Sequence, residues 1–154
     1  MYSFRFAHPS DLPWLEQAMV HSAFESLTPE ERSQAHPQVV ANQARQQMQG
    51  ALSGGGGTAL VATAWNQPAG FFLAAVNPDS TTGETNVVLL SLWVAPAFRR
   101  RGIGSALLRV GEDLFLRHGL RKMKLIAGLH NQSAVRLAQR AGYAPEGLIG
   151  IKDL

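Results

Sequence analysis

Val94-Ala95-Pro96-Ala97-Phe98-Arg99-Arg100-Arg101-Gly102-Ile103-Gly104-Ser105-Ala106-Leu107-Leu108 joins an apolar run to an amphipathic one through three arginines and two glycines. The run that leads into it, Val87 to Val94, is interrupted only by Ser91 and reads as a strand covered on both faces, the middle of a sheet. From Gly104 to His118, the residues Leu107, Leu108, Gly111, Leu114 and Phe115 share one helical face, and Gly119 supplies a stop. Lys124 to Leu129 returns as a strand. Strand, helix and strand at this spacing make a right-handed crossover with the two strands parallel. At the junction, the first N–H groups of the helix lack intrahelical partners and the helix dipole favours an anion. Gly102 and Gly104 leave those amides uncovered, and the arginines offer charge-assisted hydrogen bonds to phosphate oxygens. The segment Arg99 to Ser105 therefore reads as a phosphate site.

Working outward, Tyr2 to Phe6 alternates as a short strand, and Ser10 precedes a helix from Asp11 to Phe24 with Leu12, Leu15, Met19 and Phe24 on one face. Thr28-Pro29-Glu30 breaks the pattern before a second helix, about Pro37 to Leu52, which ends at the loop Gly54-Gly55-Gly56-Gly57. Thr58 to Trp65 and Gly70 to Val76 read as two strands joined by a hairpin turn at Asn66-Gln67-Pro68-Ala69, with Asn77 to Asn86 a polar connection. Beyond Leu129, Asn131 to Ala141 is a short helix stopped by Gly142, and Leu148 to Leu154 reads as a last strand.

The chain has 154 residues, of which 45% are hydrophobic, as expected for one domain spanning residues 1–154. No apolar stretch approaches the roughly 20 residues of a membrane helix, and the N-terminus lacks the pattern of a secretory signal, so the expectation is a cytoplasmic protein away from membranes. Without cysteine there is no disulfide, no thiolate metal site and no cysteine nucleophile. The five histidines show no metal-ligand spacing. Net charge is +3, with basic residues gathered between Arg99 and Lys124. Nucleic acid is not the expected partner, because that stretch lacks interleaved aromatics and surrounds glycines at a strand-to-helix junction. Nor do the glycines suit other nucleotide motifs. A dinucleotide-binding turn would need glycine at Leu107 and an acid near Arg121, and a Walker loop would need Lys-Ser/Thr after Gly104.

Arg99, Gly102 and Gly104 match Gln/Arg-x-x-Gly-x-Gly/Ala, and Asn131-Gln132-Ser133-Ala134 with Gly142-Tyr143 matches Asn-x-x-Ala followed by a Gly-aromatic pair. In these motifs and in the order of its elements the chain resembles the GNAT superfamily of acyl-CoA-dependent N-acetyltransferases. The resemblance implies a mixed α/β (α+β) fold: a mostly antiparallel central sheet, about four flanking helices, and a splayed parallel strand pair joined by a helical crossover. It also implies direct attack of an amine on acetyl-CoA in a ternary complex, without metal. The pyrophosphate would lie on Arg99, Arg100, Arg101, Gly102, Ile103, Gly104 and Ser105. Pantetheine would pair with strand backbone near Leu92 and Val94, with Asn131 beside it, and one strand amide would polarise the thioester carbonyl.

The chain departs from that family at its chemical positions. Ala138 stands where many relatives carry a tyrosine that protonates the leaving thiolate, and the glutamate base of some relatives would align near Val88 or Ile126. No catalytic residue is assigned. Ser133, His130, Tyr143, Ser91 or a water near Glu84 are substitutes to test against the geometry. Glu25, Glu30 and Glu31 sit where this fold usually builds its acceptor site and would suit a cationic amine, but a solvated helix end is the favoured explanation. The alternative to an enzyme is a non-catalytic acyl-CoA-binding module or sensor. Only residues 143–154 follow Gly142. A missing last strand would leave a sheet edge that a homodimer can cover.

Overall fold

The computed structural model describes residues 1–54 and 56–154. Strand β1 (Tyr2–Phe6) leads through a short 3-10 turn at Pro9–Asp11 into helix α1 (Leu12–Ser26). Two further helices follow, α2 (Pro29–Gln34) and α3 (Pro37–Ser53). Strands β2 (Gly57–Ala64), β3 (Gln67–Pro78) and β4 (Thr85–Val94) come next, then helix α4 (Ile103–Arg117), strand β5 (Met123–Leu125) and helix α5 (Gln132–Arg140). The sheet order is β1-β2-β3-β4-β5, antiparallel except for the parallel pair β4 and β5. The expected mixed fold with a parallel pair across a helical crossover is what the chain adopts.

Alternation in β2 and β3 explains why both faces are covered. Leu60, Ala62, Phe72 and Ala74 point to one face, where Ile103, Leu107, Leu108 and Phe115 of α4 bury them. Val61, Phe71 and Leu73 point to the other, against Leu15, Ala18 and Met19 of α1 and Ala44 and Met48 of α3. Each large side chain fully removed from water in these layers contributes roughly 1.5–3 kcal/mol. Helix α4 packs on the sheet at Gly111, which faces Phe72. A Cβ at that position would meet the Phe72 ring at Cε2 (2.5 Å) and Cε1 (3.0 Å).

Several local readings are corrected. Ser10 does not cap α1. The carboxylate of Asp11 instead accepts the His8 N–H at 2.7 Å and a two-point ion pair from Arg5 at 2.6 and 3.0 Å, tying β1 to the start of α1. Hydrogen bonding from Arg5, above all, holds the Asp11 carboxyl below its usual range. Leu12 proves exposed, and Ala18 takes its place on the buried face. The break at Thr28 is itself a helix start: Thr28 Oγ1 accepts the Glu31 N–H at 3.1 Å and Glu31 accepts the Thr28 N–H at 2.8 Å, a capping box with Pro29 in the first turn of α2. The hairpin turn lies at Trp65-Asn66, both at positive φ (48° and 63°), because Gln67 already pairs with Ala64.

The middle of the sheet is β3 rather than β4, because β1 and β2 lie on one side of it and β4 and β5 on the other; β5 pairs with β4 for only three residues. Strand β5 ends at Leu125, so Ile126 and Leu129 lie outside it, each 80% exposed. No strand forms from Leu148 to Leu154; residues 144–154 are irregular and exposed. Of the four-glycine loop, Gly54 caps α3 and Gly57 opens β2, while Gly55 lies outside the described residues.

Candidate functional site

The geometry of β4 follows from its hydrogen-bond parity. Val87 N–H donates to Lys122 O at 3.0 Å, so Val87 and Leu89 turn their peptide groups toward β5. Unbroken alternation would turn Ser91 and Trp93 the same way. Ala95 N–H, however, donates to Ala69 O at 2.8 Å on the β3 side, which sends Trp93 and Ser91 toward β3. The phase changes at Leu90, an extra residue between the pairs Leu89–Ala74 and Ser91–Leu73. The consequence is that Leu92 and Val94 present their N–H and C=O groups outward, beyond the point where β5 has ended. In agreement, Val94 O is within reach of the Arg99 side chain, whose Nε donates to it at 2.7 Å.

The loop after β4 passes through a 3-10 turn at Pro96–Phe98 and then two left-handed residues, Arg100 at φ 65° and Gly102 at φ 81°. Gly102 is the N-cap of α4 and carries no side chain to satisfy it. The first backbone bond of the helix, Ala106 N–H to Gly102 O at 3.0 Å, leaves the N–H groups of Ile103, Gly104 and Ser105 ahead of it. A side chain at Gly102 would meet nothing within 4 Å, so its constraint is the backbone conformation alone. Gly104 is the reverse case: a Cβ there would touch Leu92, Val94 and Leu137 at 3.6 to 3.9 Å, ordinary contact distances. The uncapped amides therefore open beside the free edge of β4 and below α5.

Of the three arginines, Arg99 is turned toward α1. Its Nη2 bonds both oxygens of Glu25 at 2.9 and 2.8 Å, and its guanidinium lies 5.8 Å from the centroid of Trp93. Arg101 lies 5.9 Å over Trp65 of the β2–β3 turn. Arg100 and Arg101 are both exposed. Asn131 caps α5, its side-chain oxygen accepting the Ala134 N–H at 3.2 Å. Helix α5 ends in a Schellman motif: Tyr143 N–H donates to Ala138 O at 3.0 Å and Gly142 N–H to Gln139 O at 3.1 Å, with Gly142 at φ 90°.

An open cleft of about 690 Å³ lies between the two ends of the helical layer, lined by Glu25, Leu27 and Arg32 on one wall and His130, Asn131 and Ser133 on the other. His130 Nε2 reaches Ser26 O at 2.8 Å and bridges these walls. Glu25 and the α2 residues Pro29, Arg32 and Ser33 belong to the lining, whereas Glu30 and Glu31 do not. Sequence reading passed over Arg32 and Ser33 as lining residues. The capping pattern Thr28-Pro29-Glu30-Glu31 was the available signal for the helix that carries them.

The substitutes for a general acid or base separate on this geometry. Tyr143 donates its hydroxyl to Glu112 of α4 at 3.1 Å, and burial, with the Glu112 charge adding to it, raises its pKa further above the usual phenol value. Ser91 is engaged with Ser22 of α1 at 2.8 Å. Glu84 pairs with Lys122 at 3.0 Å, at the far end of a ten-residue strand, roughly 30 Å from Val94 at about 3.3 Å per residue. Ser133 and His130 alone line the cleft. Ala138 is buried, Ile126 is exposed, and neither they nor Val88 bring an ionisable group. Among the described residues no three His, Asp or Glu side chains converge as a metal site would need.

The family model for the acetyltransferase (GNAT) family matches residues 18–143. The chain belongs to the GNAT acetyltransferase family. Its fold is similar to that of a Pyrococcus furiosus protein classed provisionally as an acetyl transferase, with a TM-score of 0.83, 20% identity and 100% of both chains covered. It is also similar to AAC(6')-Iy in complex with the bisubstrate analogue CoA-S-monomethyl-acetylneamine, at TM-score 0.74 and 19% identity, covering 100% of this chain and 99% of the other. A ribosomal-protein-alanine N-acetyltransferase from Brucella melitensis biovar Abortus superposes at TM-score 0.71 and 17% identity, with both chains covered completely. No curated protein matches the chain by sequence. No helix among the described residues is long and apolar enough to cross a membrane.

Proposed function

We propose that the protein transfers an acetyl group from acetyl-CoA to the primary amine of a small molecule or peptide, by direct attack in a ternary complex. The observation that carries this reading is the adjacency of two sets of backbone groups that have no backbone partners. The N–H groups of Ile103, Gly104 and Ser105 open the helix, and beside them the peptide groups of Leu92 and Val94 stand on an edge left bare when β5 ends at Leu125. The first set suits a pyrophosphate, with Arg100, Arg101 and Gly102 around it. The second suits an extended amide-bearing arm, which can pair with a bare strand edge as another strand would. Asn131 flanks the arm at the head of α5. Arg99 contributes indirectly in this arrangement, by holding Val94 O and Glu25 in place.

In the reaction the amine nitrogen attacks the acetyl carbonyl carbon. A C–N bond forms, the C–S bond breaks, the sulfur leaves as thiolate and takes a proton, and the amine gives one up. A backbone N–H of the β4 edge stabilises the developing oxyanion. Positioning of this kind can supply much of the rate without an ionisable side chain, and a thiolate with a pKa near roughly 8.5 leaves readily unassisted. Residues 1–154 act as one acetyltransferase-like domain, working in the cytoplasm without metal, membrane or nucleic acid. The exposed residues Ile126, Leu148, Ile149 and Ile151 and the outer edge of β5 are covered in a homodimer. Light scattering that gives a monomer mass at micromolar concentration would remove the dimer from the scheme.

A second reading is favoured by Ala138, Val88 and Ile126, which leave the chemical positions of the family apolar: a CoA-binding module without turnover. Calorimetry with CoA and acetyl-CoA, followed by thiol release against a panel of amines, peptides and aminoglycosides, separates the two. Binding with acceptor-dependent thiol release is the expected outcome. Binding without release on any acceptor leaves the sensor, and no binding at all rejects both.

A further inference from the structure

The ionisable residues that line the cleft are Glu25, Arg32 and His130. Glu25 is already neutralised, since both its oxygens are taken by Arg99. His130 is a strut, with Nε2 committed to Ser26 O. Arg32 is differently placed. Its Nη2 donates to Phe24 O at 3.2 Å, which holds the guanidinium at the last turn of α1, and among the described residues it forms no ion pair. Four of its five N–H donors remain for a ligand, in a planar fork that matches a carboxylate. The rest of the lining is apolar or neutral, including Leu27, Pro29 and Ser133. The cleft therefore carries a positive sign. A polycationic acceptor would bring its ammonium groups against Arg32 and find one carboxylate, already paired.

We infer, on the basis of the acetyltransferase reading above, that the acceptor is an amine that also carries a carboxylate, with Arg32 as the residue that selects it. The carboxylate docks on the Arg32 fork at the α1–α2 end of the cleft while the amine points toward the β4 edge. A cleft of this size takes either a free amino-acid-like molecule or the acidic end of a short peptide.

The test uses the full chain with acetyl-CoA and matched acceptor pairs: lysine against 1,5-diaminopentane, and a lysine-containing dipeptide with a free C-terminal carboxylate against its C-terminal amide, with kanamycin as the polycation. The expected result is a kcat/KM about tenfold or more higher for the carboxylate member, as for a hydrogen-bonded charge pair. Arg32→Gln brings that ratio close to one, chiefly through KM, and Arg32→Lys keeps part of it. Where turnover is slow, titration of the same pairs into CoA-loaded protein reads the same ratio as affinity. The inference is overturned if kanamycin or 1,5-diaminopentane leads, or if the ratio survives Arg32→Gln. Whichever pair responds identifies the source of the carboxylate. Failure of CoA to bind defeats the acetyltransferase reading, whereas CoA binding with no preference for carboxylates defeats this inference alone.

Discussion

Replacing Gly111 by alanine tests how the proposed CoA-binding loop at the head of α4 is held in register. Two opposing effects can be set against each other. Alanine is the better helix former by about 1 kcal/mol in a helix interior. Against this, its methyl group would enter the Phe72 ring, whose side chain is fully buried and packed on Phe115 at a centroid distance of 6.4 Å. Phe72 is fully buried, so making room for the methyl group shifts the ring against its packed neighbours or lifts α4 from the sheet. Overpacking of this kind costs about 1–3 kcal/mol, and the fully enclosed ring argues for the upper part of that range. The net loss is then about 1–2 kcal/mol, which lowers Tm by about 2–8 °C for a domain of this length. Because α4 carries the amides of Ile103 to Ser105 at its head, lifting it also displaces the proposed pyrophosphate site, and CoA affinity is expected to fall with stability. Urea denaturation, scanning calorimetry and CoA titration read these three quantities. A Gly111→Ala protein more stable than the parent by about 1 kcal/mol would refute the argument, since propensity would have won and the helix would have room.

Other variants probe separate parts of the reasoning. Gly102→Ala forces a side chain into the left-handed region at a cost of about 1–2 kcal/mol and weakens CoA binding in titration, whereas Gly104→Ala, which makes only ordinary contacts, changes either far less; equal effects would contradict the distinction. Asp11→Asn removes the buried partner of Arg5 and lowers stability at pH 7 by about 1–2 kcal/mol. The Asp11 carboxyl titrates below its unfolded value of 3.8, so the difference from the parent is fully present above that pH and shrinks as pH falls below it, which urea titrations at pH 7 and pH 3 compare. With no ionisable group at Val88, Ile126 or Ala138, kcat/KM rises tenfold per pH unit until the acceptor amine is deprotonated; a plateau well below the amine pKa would reveal a base in the chain. Tyr143→Phe leaves that pH profile unmoved, because its hydroxyl is spent on Glu112, and steady-state rates across pH check it.

Much of the local geometry of the candidate site was legible because short-range rules govern it. A glycine that must be left-handed, a helix that begins without a cap and a hydrophobic strand before it are all written within Val87 to Ser105. Less legible were features decided across the sheet. Lys124 to Leu129 reads as a strand by composition, yet only Met123 to Leu125 pairs, because pairing depends on a partner edge that β4 offers for three residues. Leu148 to Leu154 has strand composition and no partner at all. Trp65 lies in a turn although its type favours strands, because the register of Gln67 with Ala64 leaves two residues to close the hairpin.

Taken alone, the amino-acid order determined the family, the strand-loop-helix junction and the absence of the usual acid and base, since each rests on residue identity at fixed local spacing. Tertiary structure decided what faces what. The extra residue at Leu90 turns Leu92 and Val94 outward, Arg99 is drawn to Glu25 from 74 residues away, and Arg32 is brought to the lining of the cleft with no ion pair among the described residues. Those outcomes depend on hydrogen-bond parity and on charges meeting through space, and neither is encoded in any short stretch of chain.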